Sequence, residues 1–184
     1  YLNMQYSLNY ARQFGLHDVT GMALIQRDNW QQYAADLPYN MLGISARATY
    51  SYDSRYLAEV NVGYNGSEQF AKGKRFGFFP AFSAGWVASN EAFLKDNDFI
   101  TNLKLRASYG SVGNRPSSLY PQYDLYSVSS KYNEESGALI SQLGNKDLTW
   151  EKTYTTGTGI DVAFFDNRLR ASFDWYNKYT SNIL

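Results

Sequence analysis

A two-residue period runs through most of this chain, and that period admits a strand and excludes a helix. In Leu2–Tyr10 the residues Leu2, Met4, Tyr6, Leu8 and Tyr10 alternate with Asn3, Gln5, Ser7 and Asn9 without exception. A weaker run covers Val19–Gln26. Leu42–Tyr52 places Leu42, Ile44, Ala46, Ala48, Tyr50 and Tyr52 on one face, with Ser45, Arg47, Thr49 and Ser51 on the other. After a tight Asp53-Ser54-Arg55 turn, Tyr56, Ala58, Val60, Val62 and Tyr64 continue the pattern. Ala81–Val87 presents Phe82, Ala84 and Trp86, and the next run presents Leu103, Leu105, Ala107 and Tyr109. The last two carry Tyr154, Thr156, Thr158, Ile160, Val162 and Phe164, then Leu169, Ala171, Phe173 and Trp175. Eight strands and an all-β fold are predicted. Helical spacing is confined to Asn90–Lys95, where Ser89 or Asn90 can cap a turn or two, and to Asn29–Ala35.

Composition matters because of where the charges fall. The chain has 17 Lys+Arg against 17 Asp+Glu, so it lacks the basic excess that a nucleic-acid binder needs. Arg47, Glu59, Lys104, Arg106, Asp161, Arg170 and Asp174 all take the polar parity, and none of the apolar-face positions named above is charged. A lipid-facing barrel wall excludes charge in this way, because Arg or Lys at mid-membrane costs about 2–4 kcal/mol. The core face of a soluble β-sandwich excludes it too, so both readings stand on pattern alone. Aromatics make up 17% of the chain. Tyr50, Tyr52 and Tyr56 gather at one turn, and Tyr64, Tyr109 and Trp175 lie towards strand ends, as in a membrane-interface girdle.

Connections alternate between short and long. Gln13–His17, Asp53–Arg55 and Phe165–Arg168 are tight; Gln26–Met41 and Ser111–Asp147 are long, and Gly66–Phe79 is intermediate. Outer-membrane barrels pair short periplasmic turns with long outer loops. Ser89–Asn102 takes the periplasmic parity without being tight. A structureless excursion as long as 111–147 is unusual in a compact soluble domain but ordinary on a barrel rim. The parity puts both ends of the segment outside the cell, so a slice of a larger barrel is expected. The first 20 residues also lack the pattern of a signal peptide.

Little in the chain points to covalent chemistry. With no Cys and one His, thiol catalysis, Cys-ligated zinc and His clusters are excluded. His17 beside a tight turn reads as structural. Lys95-Asp96-Asn97-Asp98 opens like a calcium loop without the glycine and closing Glu that complete one, and Glu134-Glu135 reads as a solvated pair. Asn65-Gly66-Ser67 matches a glycosylation triplet, but Asn65-Gly66, like Asp166-Asn167, is better explained as a turn dipeptide. Pro80 is expected to begin a strand. No catalytic residue, metal ligand or cofactor is predicted. The candidate ligand contacts are aromatic rings expected in the long outer loops, Trp30, Tyr33, Tyr120, Tyr123, Tyr126 and Tyr132, which can stack on sugars or bond peptide groups. The candidate lipid-facing residues are Leu42, Ile44, Val60, Val62, Leu103, Leu105, Ile160, Val162, Phe173 and Trp175.

Four segments carry a family resemblance: RYLAEVNVGYNGSEQF (55–70), RFGFFPAFSAGWVASNEAFLKD (75–96), LKLRASYGSVGN (103–114) and the run from LTWEK to TSNIL (148–184). Together they resemble the C-terminal half of the barrel of SusC/RagA-type TonB-dependent outer-membrane transporters. The resemblance is weak over 1–38 and 115–143. It implies a membrane-spanning antiparallel β-barrel of 22 strands, of which this chain supplies about eight. It also implies a plug and a TonB-contacting segment absent from these residues, energy from a TonB complex, a SusD-like surface lipoprotein, and a glycan or peptide cargo. The alternatives by function are a complete small outer-membrane barrel with a structural or adhesive role and a soluble carbohydrate-binding β-sandwich.

Overall fold

The structure, a computed structural model, describes residues 1–31, 38–95, 97, 99–115, 120–132 and 135–183, with the backbone alone at 129–132 and 135–136. Its strands are β1 (Leu2–Phe14), β2 (His17–Trp30), β3 (Tyr39–Tyr52), β4 (Tyr56–Ser67), β5 (Phe76–Val87), β6 (Ile100–Asn114), β7 (Leu125–Tyr132), β8 (Glu135–Gln142), β9 (Glu151–Phe164) and β10 (Leu169–Ser181). Eight form one antiparallel sheet in the order β1-β2-β3-β4-β5-β6-β9-β10, and β7 and β8 form a separate hairpin. Among the described residues no helix is long and apolar enough to cross a membrane.

All eight predicted runs are present, each longer than its sequence pattern. Backbone ladders continue through residues that break the side-chain alternation, because neighbours on either side still satisfy each N–H and C=O. Two strands went unpredicted. The excursion expected to be structureless carries the β7–β8 hairpin, whose adjacent Leu139 and Ile140 break the period of two. The predicted helical stretch at 29–35 is corrected at its start, since Asn29 and Trp30 end β2; its later residues lie outside the described ones. At 88–95 a single 3-10 turn, Ala88–Asn90, has no side-chain cap, and a further turn follows as Lys95 N–H bonds to Glu91 O.

The tight connections have the backbone that tight hairpins demand. Asp53 and Ser54 sit at φ +49° and +53°, and Phe165, Asp166 and Asn167 at +53°, +53° and +65°. Asn65-Gly66 is not a turn: both residues lie inside β4, opposite Gly77 and Phe76. Gly66 is required there because a Cβ would stand 2.4 Å from the Phe76 ring, which stacks on Tyr64. Pro80 lies within β5 rather than at its start, and the ladder to β6 begins at the next residue, Ala81, which leaves the missing N–H harmless.

Directly opposed residues share a face, so the registers carry single rows across the sheet. One row is Tyr10, Gly21, Ala48, Val60, Phe82, Tyr109, Thr156 and Asn177. The adjacent row, on the other face, is Ala11, Thr20, Thr49, Glu59, Ser83, Ser108, Gly157 and Tyr176. A single curved layer buries little. Its buried aromatic cluster, Phe70, Phe79 and Trp150 with Leu148 against them, lies at the end where the long connections emerge.

Candidate functional site

The polar face is concave and walls a cleft of about 670 Å³ bordered by Thr20, Thr49, Glu59, Lys104, Arg106 and Asp174. At its centre Arg106 spans three strands. Its Nε donates to Asp161 Oδ2 at 3.0 Å, and its Nη2 donates to Asp174 at 2.9 Å and to Ser172 Oγ at 3.3 Å. Gly159 makes that reach possible, since a Cβ there would stand 2.6 Å from Asp174 Oδ1 and 2.8 Å from Arg106 Cζ. Arg47 likewise bridges Glu59 at 3.3 Å and Asn61 at 2.9 Å. These pairs are open to solvent, so they orient charge along the wall more than they stabilise it. The hydroxyls and mixed charges suit water, polar cargo or polar protein. His17 lies on the opposite face, its Nδ1 2.8 Å from Tyr50 OH. Among the described residues no group of three acidic or histidine side chains could hold a metal.

The tight-turn rim is tied into one belt. Asp53 N–H bonds to Leu16 O at 2.7 Å, Val87 N–H to Arg55 O at 2.7 Å, and Phe165 N–H to Phe99 O at 3.2 Å. Glu91 is its hub, accepting from Tyr56 OH at 2.7 Å, Arg55 Nη1 at 3.0 Å and Trp86 Nε1 at 3.2 Å. Those hydrogen bonds, Tyr56's foremost, hold the Glu91 carboxyl below its ordinary range. Asn97 Oδ1 accepts the N–H groups of Phe99 and Ile100 at 2.8 and 3.0 Å. Asp96 and Asp98 of the calcium-like run lie outside the described residues.

The opposite rim carries the long connections as one platform. Trp150 Nε1 donates to Arg75 O at 3.0 Å, and Lys74 pairs with Asp147 at 2.7 Å. Gln122 donates to Glu68 O at 3.2 Å, and Arg115 reaches Gln69 at 3.1 Å while lying over the Tyr39 ring at 4.6 Å. The predicted loop aromatics divide here. Trp30 is the last residue of β2, edge-on to Tyr39 at 6.4 Å, and not a loop residue. Tyr120 bonds to Pro38 O and stands 6.0 Å from Tyr123, Tyr126 is an exposed side chain of β7, and Tyr132 ends that strand. Tyr33 and the Tyr132 side chain lie outside the described residues, and none of the others borders the cleft on the polar face. Phe70, Gln69, Arg115 and Gln122 are not legible in the sequence, because residues of the connections, apolar or polar, carry no period. Trp150 was visible only inside the WEK motif.

The registers put Leu42, Ile44, Val60, Val62, Leu103, Leu105, Ile160, Val162, Phe173 and Trp175 on one face. Phe173 and Trp175 are 69% and 53% exposed, so nothing among the described residues covers them.

A wall of eight consecutive antiparallel strands, charged on its concave face and apolar outside, with turns at one rim and excursions at the other, is a segment of a membrane-type β-barrel. The family model described as "TonB dependent receptor-like, beta-barrel" matches residues 1–184, and the chain belongs to that family. It is 34% identical over 206 aligned residues to TonB-dependent receptor P39 of Formosa agariphila, covering 96% of this chain and 20% of that protein. It is 32% identical over 145 residues to TonB-dependent receptor SusC of Bacteroides thetaiotaomicron, covering 75% of this chain and 14% of that protein. The chain thus spans about a fifth of the length of such relatives. Among solved structures, the RagAB peptide transporter superposes with a TM-score of 0.85 at 22% identity, over 97% of this chain and 23% of that one, a likeness of fold.

Proposed function

We propose that these residues form part of the wall of an outer-membrane importer powered through TonB, whose plug and TonB-contacting segment lie outside the 184 residues. The family match along the whole chain carries this reading. The two-faced sheet supports it physically: the outer face, free of charge across its middle, suits lipid, and the concave face suits an aqueous lumen. The protein works with a SusD-like surface lipoprotein above the long-connection rim and admits an oligosaccharide or oligopeptide without covalent chemistry. The solved relative described as a peptide transporter and the relative named SusC support that partnership.

The test is made in the full-length gene. Deleting the TonB-contacting segment should abolish uptake of a labelled nutrient while cells still bind it at the surface. Undiminished uptake would overturn powered import. A native protein that fractionates as a soluble species would instead favour a carbohydrate-binding sandwich.

A further inference from the structure

Among the described residues of β1 to β5, the apolar face bears two ionised side chains, Arg12 and Arg27, and no carboxylate. On the polar face acids and bases mix, as Arg106 with Asp161 and Asp174 shows. The one-sided excess suits an anion outside the wall. Arg27 lies near the long-connection end of β2. Arg12 is differently placed. It sits two residues before the end of β1, at the tight-turn rim, with its guanidinium carbon 4.4 Å from the Phe14 ring centre. The side chain therefore leans towards the rim, as a cation does when it leaves hydrocarbon for the headgroup layer. Among the described residues no carboxylate pairs with it. The neighbouring strands add polar tips on the same face: Phe14 opposes His17, Arg12 opposes Val19, and Val19 opposes Tyr50, whose hydroxyl meets His17 Nδ1.

We propose that Arg12, leaning on Phe14 beside the His17–Tyr50 pair, binds the phosphate of a membrane phospholipid at the tight-turn rim. The guanidinium fork can give a phosphate two parallel hydrogen bonds, and the low dielectric at the edge of the hydrocarbon strengthens them. Exposed Tyr6, Leu8 and Tyr10 run from Arg12 along the same face of β1, where the acyl chains would lie. The inference rests on the reading that this face meets lipid.

The full-length protein, purified in detergent, is titrated with phosphatidylglycerol and bound lipid is counted by native mass spectrometry. Diacylglycerol with the same chains and inorganic phosphate serve as separate probes. The wild type should bind phosphatidylglycerol in preference to both, and Arg12→Gln should weaken that binding roughly tenfold, the loss of one charge-assisted contact. Phe14→Leu keeps the charge but removes its support, so it should weaken binding by a smaller factor. It also serves as the readout if Arg12→Gln fails to fold. Equal binding by the wild type and the folded variants overturns the site. Equal uptake of diacylglycerol overturns phosphate recognition, and equal binding of inorganic phosphate overturns a lipid site. Outer-membrane fractionation of the same preparations is read separately. A membrane-inserted barrel without the adduct defeats this proposal alone, whereas a soluble protein defeats the membrane reading beneath it.

Discussion

A single carboxylate can carry a rim. Glu91 accepts hydrogen bonds from Arg55, Tyr56 and Trp86, so it joins the β3–β4 turn, β4 and β5 to the connection that contains it. Its carboxyl is held below the ordinary value of 4.5 by those donors, Tyr56 first. A group depressed on folding is protonated more readily when unfolded, so its contribution is complete above the ordinary value and is lost as pH falls through the folded one. Glu91→Gln should therefore lower the temperature at which the folded barrel converts to the unfolded band on a gel at pH 7. The gap from wild type should narrow as pH drops below 4.5; a gap independent of pH would show that the ionised form is not what matters. Sequence showed Glu91 only as a helical-pattern residue, because its partners come from strands and a turn up to 36 residues away.

At the scale of elements, the legible and the illegible part along physical lines. Seven of the eight sheet strands are readable because each has one apolar and one polar side, a contrast that every second residue repeats; β2, with Met22 and Leu24 on the polar side, shows it weakly. The strand ends are not readable. Arg12 and Arg27 lie in the extensions of β1 and β2 beyond the alternating cores, where backbone pairing continues after the side-chain pattern fails. The β7–β8 hairpin was missed because neither of its faces is uniformly apolar. A two-stranded hairpin is marginal alone; its base is closed by Gly144 N–H on Asp124 and Asn145 N–H on Pro121 O, and tied to the β4–β5 connection by Gln122 on Glu68 O, beside the cluster of Trp150, Phe70 and Phe79. Trp150→Ala removes a buried ring and leaves Arg75 O without its indole donor, at a cost of about 3–5 kcal/mol to local order. Hydrogen exchange should then quicken across 68–75 and 143–150 while β2 and β3 keep their protection. Unchanged exchange in those two stretches would mean that Trp150 does not staple the platform.

For the whole molecule, the decisive question is what covers the apolar face, since a membrane wall and half of a sandwich share the same alternation. The two environments charge differently for a cation. Lipid imposes a cost that depends on depth, about 2–4 kcal/mol for Arg near the midplane and about 0–1 near the interfaces. A protein core imposes its cost wherever the residue is buried. Phe82 opposes Val60 near the middle of the face, Leu103 lies three residues from the tight-turn start of β6, and Ser83 points into the cleft. Refolding of the full-length protein into phospholipid vesicles under a urea titration should rank three variants. Phe82→Arg should lose about 2–4 kcal/mol, Leu103→Arg about 0–1, and Ser83→Arg close to nothing, because its new charge meets water and Glu59 across the strand pair. Equal large losses at Phe82 and Leu103 would mean that protein, not lipid, lies against this face. A large loss at Ser83 would mean that the concave side is packed rather than aqueous. Only the graded order belongs to a wall set in a bilayer, and the graded order is what the charge-free middle and cation-bearing strand extensions of this face already anticipate.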